Sequence, residues 1–176
     1  MALKKTSSLM NLGGSIDLVD GAGYSQAEIG LPLNALERQV WVVTDVQIDC
    51  ELLNFDAALG GEKQIIGGVY RTSQTANLGI DDPDAIATLA YNTIQGGAAN
   101  LGTGAAQMTR FPDETSSGTS RDYLCIISTP DFFVGGAYAT TTGGAPNRAL
   151  HVRITGYQAT ADVGTYSALI AEEINS

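Results

Sequence analysis

A single histidine, two cysteines and nine basic residues serve all 176 positions of this chain. Each scarcity closes off a class of chemistry. A catalytic triad or a histidine-based metal centre would have to be built on His151 alone. His151 stands in a strand-like run beside Arg153 and Thr155, where a surface strand histidine is the plain reading. No serine occupies a Gly-x-Ser-x-Gly elbow. Cys50 and Cys125 fall in separate apolar runs and are too few for a disulfide framework, so both are expected as buried free thiols.

Positive charge is short as well. Net charge is −10, and the basic residues are scattered. Tracking phosphates requires a basic cluster, and the only local pair is Lys4-Lys5. Direct nucleic-acid binding by the folded domain is therefore not expected, although an N-terminal arm carrying this pair could touch a genome or a lipid head group. The aromatic residues do not interleave with basic ones, as a base-stacking platform would require. Near the N-terminus no apolar run is longer than Met1-Ala2-Leu3, far from the roughly 7–15 residues of a secretory core. No run approaches the roughly 20 residues of a membrane-spanning helix. The expectation is a protein made and folded in a cytoplasm.

Cofactor motifs fail one by one. "GGEK" at 60–63 lacks phosphate-loop spacing, and "LGTGAAQ" at 101–107 does not link a strand to a helix. "DDPD" at 81–84 lacks the order and distal glutamate of a calcium loop. Asp45, Asp49 and Glu51 share one strand face, where solvated acids are the simple account. No cofactor, no metal and no enzymatic activity are expected.

The chain is 44% hydrophobic and 16% charged, with 21 glycines, many of them paired. That composition suits a folded domain with tight turns. "RQVWVVTDVQIDCELL", from Arg38 to Leu53, alternates with period two. Val40, Val42, Val46 and Ile48 lie on one face, and Trp41, Val43, Asp45 and Asp49 on the other. The even face is expected to close a core, and the length predicts a bulge or bend. The Trp41–Val43 end is expected to be covered, by the chain itself or by a neighbour.

Further strands are expected at Glu62–Gln74 with a glycine bulge at 67–68, and at 106–111, 121–129, 132–138 and 148–160. Ser15–Asp20 could add a short one. Asp81 to Asp84 carry helix-start signals, which predict a short helix over 83–91. Asp162 can cap a terminal helix presenting Tyr166, Leu169 and Ile170 on one side. That stripe must dock on its own sandwich or on a neighbouring subunit, since so short a helix is not stable alone. Glu172 and Glu173 sit at the helix end that disfavours negative charge, which points to a partner cation.

The count is about eight strands, one short connecting helix and a C-terminal helix. The expected class is all-β, an antiparallel sandwich of jelly-roll type. Residues 1–14 form a flexible arm in this reading, 15–161 the sandwich and 162–176 the tail.

The arm "MALKKTSS", the strand "RQVWVVTDVQID", the long loops and the last strand running into "LHVRITGYQATADVGTYSALIAEEINS" together resemble viral single jelly-roll capsid and virion structural proteins. The resemblance implies a self-assembling structural subunit of a virus particle, located in the virion, partnered by its own copies and by other virion proteins. Its contacts would be made through termini, loops and strand edges, with Lys4, Lys5, Trp41, Tyr166, Leu169 and Ile170 as subunit-interface candidates. The −10 charge departs from coats with a strongly basic inner face or arm. It suits a shell over a membrane, a filled head or another protein layer. The alternative is a non-enzymatic carbohydrate- or ligand-binding sandwich, with Trp41 as its aromatic platform.

Overall fold

The computed structural model describes residues 3–51, 61–79, 81–95, 106–112, 123–140 and 147–175. The elements are β1 (Leu3–Lys5), β2 (Met10–Leu18), β3 (Tyr24–Gly30), a 3-10 turn (Ala35–Glu37), β4 (Gln39–Cys50), β5 (Gly61–Tyr70) and β6 (Ala85–Gln95). They continue with β7 (Ala106–Pro112), β8 (Cys125–Ile127), β9 (Asp131–Thr140), β10 (Arg148–Ala161) and a helix α1 (Val163–Asn175). The centres of the glycine-rich loop at 96–105 and of "DETSSGTS" at 113–120 lie outside the described residues.

Every ladder is antiparallel. One sheet runs β2-β10-β4-β8, with β1 continuing the β2 edge, and the other runs β3-β9-β5-β6-β7. Four of these pairings are nested: β5 with β6, β4 with β8, β3 with β9 and β2 with β10. This is one long hairpin with its tip at β5–β6, rolled so that alternate pairs fall into opposite sheets. That nesting defines a jelly roll. β7 is an added edge strand beside β6. The main core lies between the sheets and includes Leu18, Trp41, Val43, Ile65, Leu89, Phe132, Val134, Leu150 and Ile154.

The long alternating run forms β4, and its bulge swaps the two faces. Asp45 pairs with Thr155 and Val43 with Gly156, so Thr44 is the extra residue. The Thr44 hydroxyl donates to the Thr155 carbonyl at 3.1 Å. Beyond the bulge the even residues Val46 and Cys50 face the main core, as expected. Before it, Trp41 and Val43 face that core, while Val40 and Val42 form a second cluster on the outer side of the sheet. The single even core face is thus corrected: a two-for-one bulge reverses the pleat. Gly156 stands opposite, and a Cβ there would come within 2.4 Å of Trp41 Nε1 and 2.5 Å of the Val42 carbonyl oxygen. Only a residue without a side chain lets the indole cross β10. Deleting Thr44 would leave Trp41, Val43, Val46 and Ile48 at alternate positions of one regular strand, so both halves of β4 keep their core residues inward and only the local bend is lost. The expected result is folded protein with a cooperative denaturation transition by circular dichroism.

Three further expectations change. Residues 85–91, read as helix, are strand β6. Ala87, Leu89 and Tyr91 are buried with Thr88 and Ala90 between them, and full-length pairing with β5 overrides the helix-start signals. Those signals build a turn instead, in which Asp82 accepts from the Asp84 N–H at 2.9 Å. No bulge occurs at Gly67-Gly68, which pair in register with Gly136 and Gly135; the shift lies at Ile86 on the facing strand. Within the expected arm, residues 3–5 and 10–14 are laid as strand along β10. Gly13-Gly14 hid the alternation of β2 by removing side chains from its middle.

Candidate functional site

The outer face of the first sheet is divided in two. One half is apolar: Val40, Val42, Ile126, Ala159 and Ala161 are all buried there, beneath Leu169, with Leu3, Tyr157 and Tyr166 packed alongside. The cover is α1, which starts one residue after β10. Asp162 accepts from the Thr165 N–H and hydroxyl, both at 2.9 Å, and these donors hold its carboxyl below the usual carboxylate range.

The far end of α1 is fastened by carboxylates. Glu173 is 4% exposed. It accepts from the Ser128 N–H at 2.9 Å, the Ser128 hydroxyl at 2.7 Å and the Thr129 N–H at 2.9 Å. Three donors on the turn after β8 thus replace the water a buried carboxylate loses. Glu172 meets the Arg71 guanidinium at 3.3 Å, and Arg71 also reaches Asp84 at 3.5 Å and the Pro83 carbonyl at 2.9 Å. Thr72 donates to the second Asp84 oxygen at 2.6 Å. The cation that the helix-end acids called for is therefore Arg71 of the same chain. Because the Glu172 carboxylate is 61% exposed, its own pairing adds little. Buried Glu173 carries the fastening, and buried Asp84 holds Arg71 in place.

Cys125 sits beside this latch at the edge of the sheet. Burial foremost pushes its thiol up to about 12 from 9.0, with Arg71 pulling down and Glu173 pushing up. Because the folded state holds this proton more tightly than the unfolded chain, stability falls as pH rises from about 9 to 12. Denaturation midpoints at pH 8 and pH 10.5 are expected to differ more for the natural chain than for Cys125→Ala.

The other half of that outer face is polar and open. Asn11, Ser15 and Asp17 of β2 stand beside Thr155, Arg153 and His151 of β10, and Asp45, Gln47 and Asp49 of β4. Arg153 donates to Gln47. His151 has Ser15 opposite it on one side and Asp49 on the other, but all three are exposed on a flat sheet. Such a row leaves a serine solvated rather than activated. Among the described residues no cluster of three or more His, Cys, Asp or Glu side chains is placed to hold a metal. No helix among them is long and apolar enough to cross a membrane.

The interface candidates separate. Lys4 and Lys5 are exposed on β1, and the Lys5 ammonium lies 4.5 Å from the Tyr157 ring centroid. Tyr166 and Ile170 are half-buried, and Leu169 is buried against its own sandwich. Trp41 is 0% exposed, which removes it both as an interface residue and as a glycan platform. Nothing in the sequence marks Arg71 or Ser128, and Asp84 is marked only as a helix start; all three are distant from Glu173 in sequence and joined to it only by the fold.

The pairing pattern places the chain among jelly-roll β-sandwiches. No family model and no curated protein matches it. Among solved structures it is similar to apo chimpanzee polyomavirus VP1, at 8% identity over 91% of this chain and 99% of that one, with a TM-score of 0.41. It is also similar to Merkel cell polyomavirus VP1 as an unassembled pentamer, at 8% identity, 91% and 99% coverage and a TM-score of 0.39. Merkel cell polyomavirus VP1 in complex with disialyllactose gives 9%, 92% and 99%, and 0.40.

Proposed function

We propose that the chain is a structural subunit of a virus particle, a capsid or capsid-decorating protein that assembles through its termini, loops and strand edges. The observation that carries this reading is the nested jelly-roll pairing. The burial of Trp41, Tyr70, Tyr138 and Phe132 in the domain's own interior supports it against a binding module, because these aromatics are not available as a sugar platform. Copies of the same chain and other virion proteins are its partners, and the virion is its location after synthesis in the host cytoplasm. Lys4 and Lys5 are the residues that would contact a genome or a lipid head group.

Light scattering of the purified chain, followed by electron microscopy of any large fraction, tests the proposal. Rings, sheets, tubes or shells are the expected result. A monomer at every protein and salt concentration would overturn it.

A further inference from the structure

The free edge of β2 is a matching surface for itself. Ala149 of β10 turns its backbone towards β4, since the Glu51 N–H donates to its carbonyl at 3.0 Å. Backbone direction alternates along an antiparallel strand. Residues 148, 150, 152 and 154 therefore point to β2, where they pair with Leu18, Ile16, Gly14 and Leu12. Asn11, Gly13, Ser15 and Asp17 then direct their N–H and C=O groups away from the sheet, and no backbone partner meets them among the described residues. From Met10 to Leu18 there is no lysine, arginine or proline, the residues that ordinarily blunt an edge. The β8 edge, by contrast, is three residues long.

We propose that two copies of the chain pair β2 against β2 in antiparallel fashion about a twofold axis through Gly14, joining their sheets into one. This deepens the self-assembly reading, from which it takes its partner, a second copy. Centring on Gly14 sets Asn11 opposite Asp17 of the second copy and Gly13 opposite Ser15. All four outward residues of each chain then form hydrogen-bonded pairs, with two bonds at each pair. Shifting the centre to Gly13 leaves Asp17 beyond the overlap.

Both faces match in this register. On the outer face, a carboxylate meets an amide and not another carboxylate. On the inner face, Leu12 meets Ile16, extending an apolar layer that both residues already join. Gly14 lies at the axis, where facing side chains approach most closely. A Cβ there would meet Ile29 Cδ1 of its own chain at 2.5 Å.

Sedimentation and residue-resolved amide exchange of the full chain across a concentration series test the pairing. The expected result is a dimer in which the amides of residues 11, 13, 15 and 17 slow with concentration, while those of 12, 14, 16 and 18 are slow throughout. Ser15→Pro removes one outward N–H and should weaken the dimer at least tenfold. Asn11→Asp sets like charges opposite each other and should also weaken it. Asn11→Lys faces Asp17 with its opposite and should tighten it, less so at high salt. Equal effects of Asn11→Asp and Asn11→Lys would overturn this register. Large assemblies in which the four amides stay fast would overturn the β2 pairing and leave the structural-subunit reading standing. A dimer with those amides protected, and no larger particle under any condition, would uphold the pairing and overturn that reading.

Discussion

Val46→Asp is expected to abolish the folded state. Val46 is 4% exposed in the main core, just beyond the bulge where the even residues turn inward. An unpaired carboxylate there costs about 3–5 kcal/mol, and the lost valine burial adds about 1.5–3 kcal/mol. Together these exceed the stability of a domain near the lower end of the usual range of about 5–15 kcal/mol. The exposed neighbour Gln47 supplies the control. Gln47→Glu keeps an oxygen facing Arg153 and is expected to change stability by no more than about 0.5 kcal/mol. Soluble Val46→Asp protein with a cooperative denaturant transition would show that the bulge does not orient β4 as described.

Glu173→Gln is expected to free α1 while the sandwich stays folded. The amide nitrogen replaces one of the two oxygens that accept from Ser128 and Thr129, so a donor faces a donor. The loss is roughly 2–3 kcal/mol. Once detached, a 13-residue helix is marginal in water. Amides of residues 166–173 should therefore exchange faster than those of β10, and helical ellipticity should fall without loss of the sheet signal. Equal exchange in α1 and β10 would mean that helix and sandwich open as one unit. Removing residues 162–176 outright is a blunter change, because it bares Val40 and Val42, both 0% exposed beneath the helix. Aggregation of that truncated chain would report the uncovered face rather than a failed assembly contact.

Much of the strand content could be read from alternation. β4, β9 and β10 are long, rich in β-branched and aromatic residues, and lie close to their expected positions. The bulge was foreseen from length, but its position was not, since Thr44 suits a regular strand as well as a bulge. β6 was misread because Ile86, Leu89 and Ala90 also satisfy helical spacing, and Asp-Pro-Asp begins a helix as readily as it closes a turn. Only the facing strand, Gly61–Tyr70, decides between them. The latch left a single local trace, two acids at the wrong end of a helix. Its other members come from positions 71, 84 and 128, and no spacing rule connects them. The β2 edge was hidden by Gly13-Gly14, which interrupt the hydrophobic pattern while leaving the backbone free to pair.

The nested pairing also bears on how the protein is made. β1 lies against the end of β10, and the Thr6 hydroxyl meets the Gln158 carbonyl across 152 residues of chain. β10 is the central strand of its sheet, with β1 and β2 on one side and β4 on the other. During translation the β5–β6 tip can form early, but β2 and β4 have no shared neighbour until residues 148–161 leave the ribosome. Contacts so distant in sequence form slowly, and exposed strand edges invite association while they wait. Nascent chains growing side by side on one message would hold such edges close together, so expression at lower temperature, or with a chaperone that shields strand edges, should raise the soluble yield.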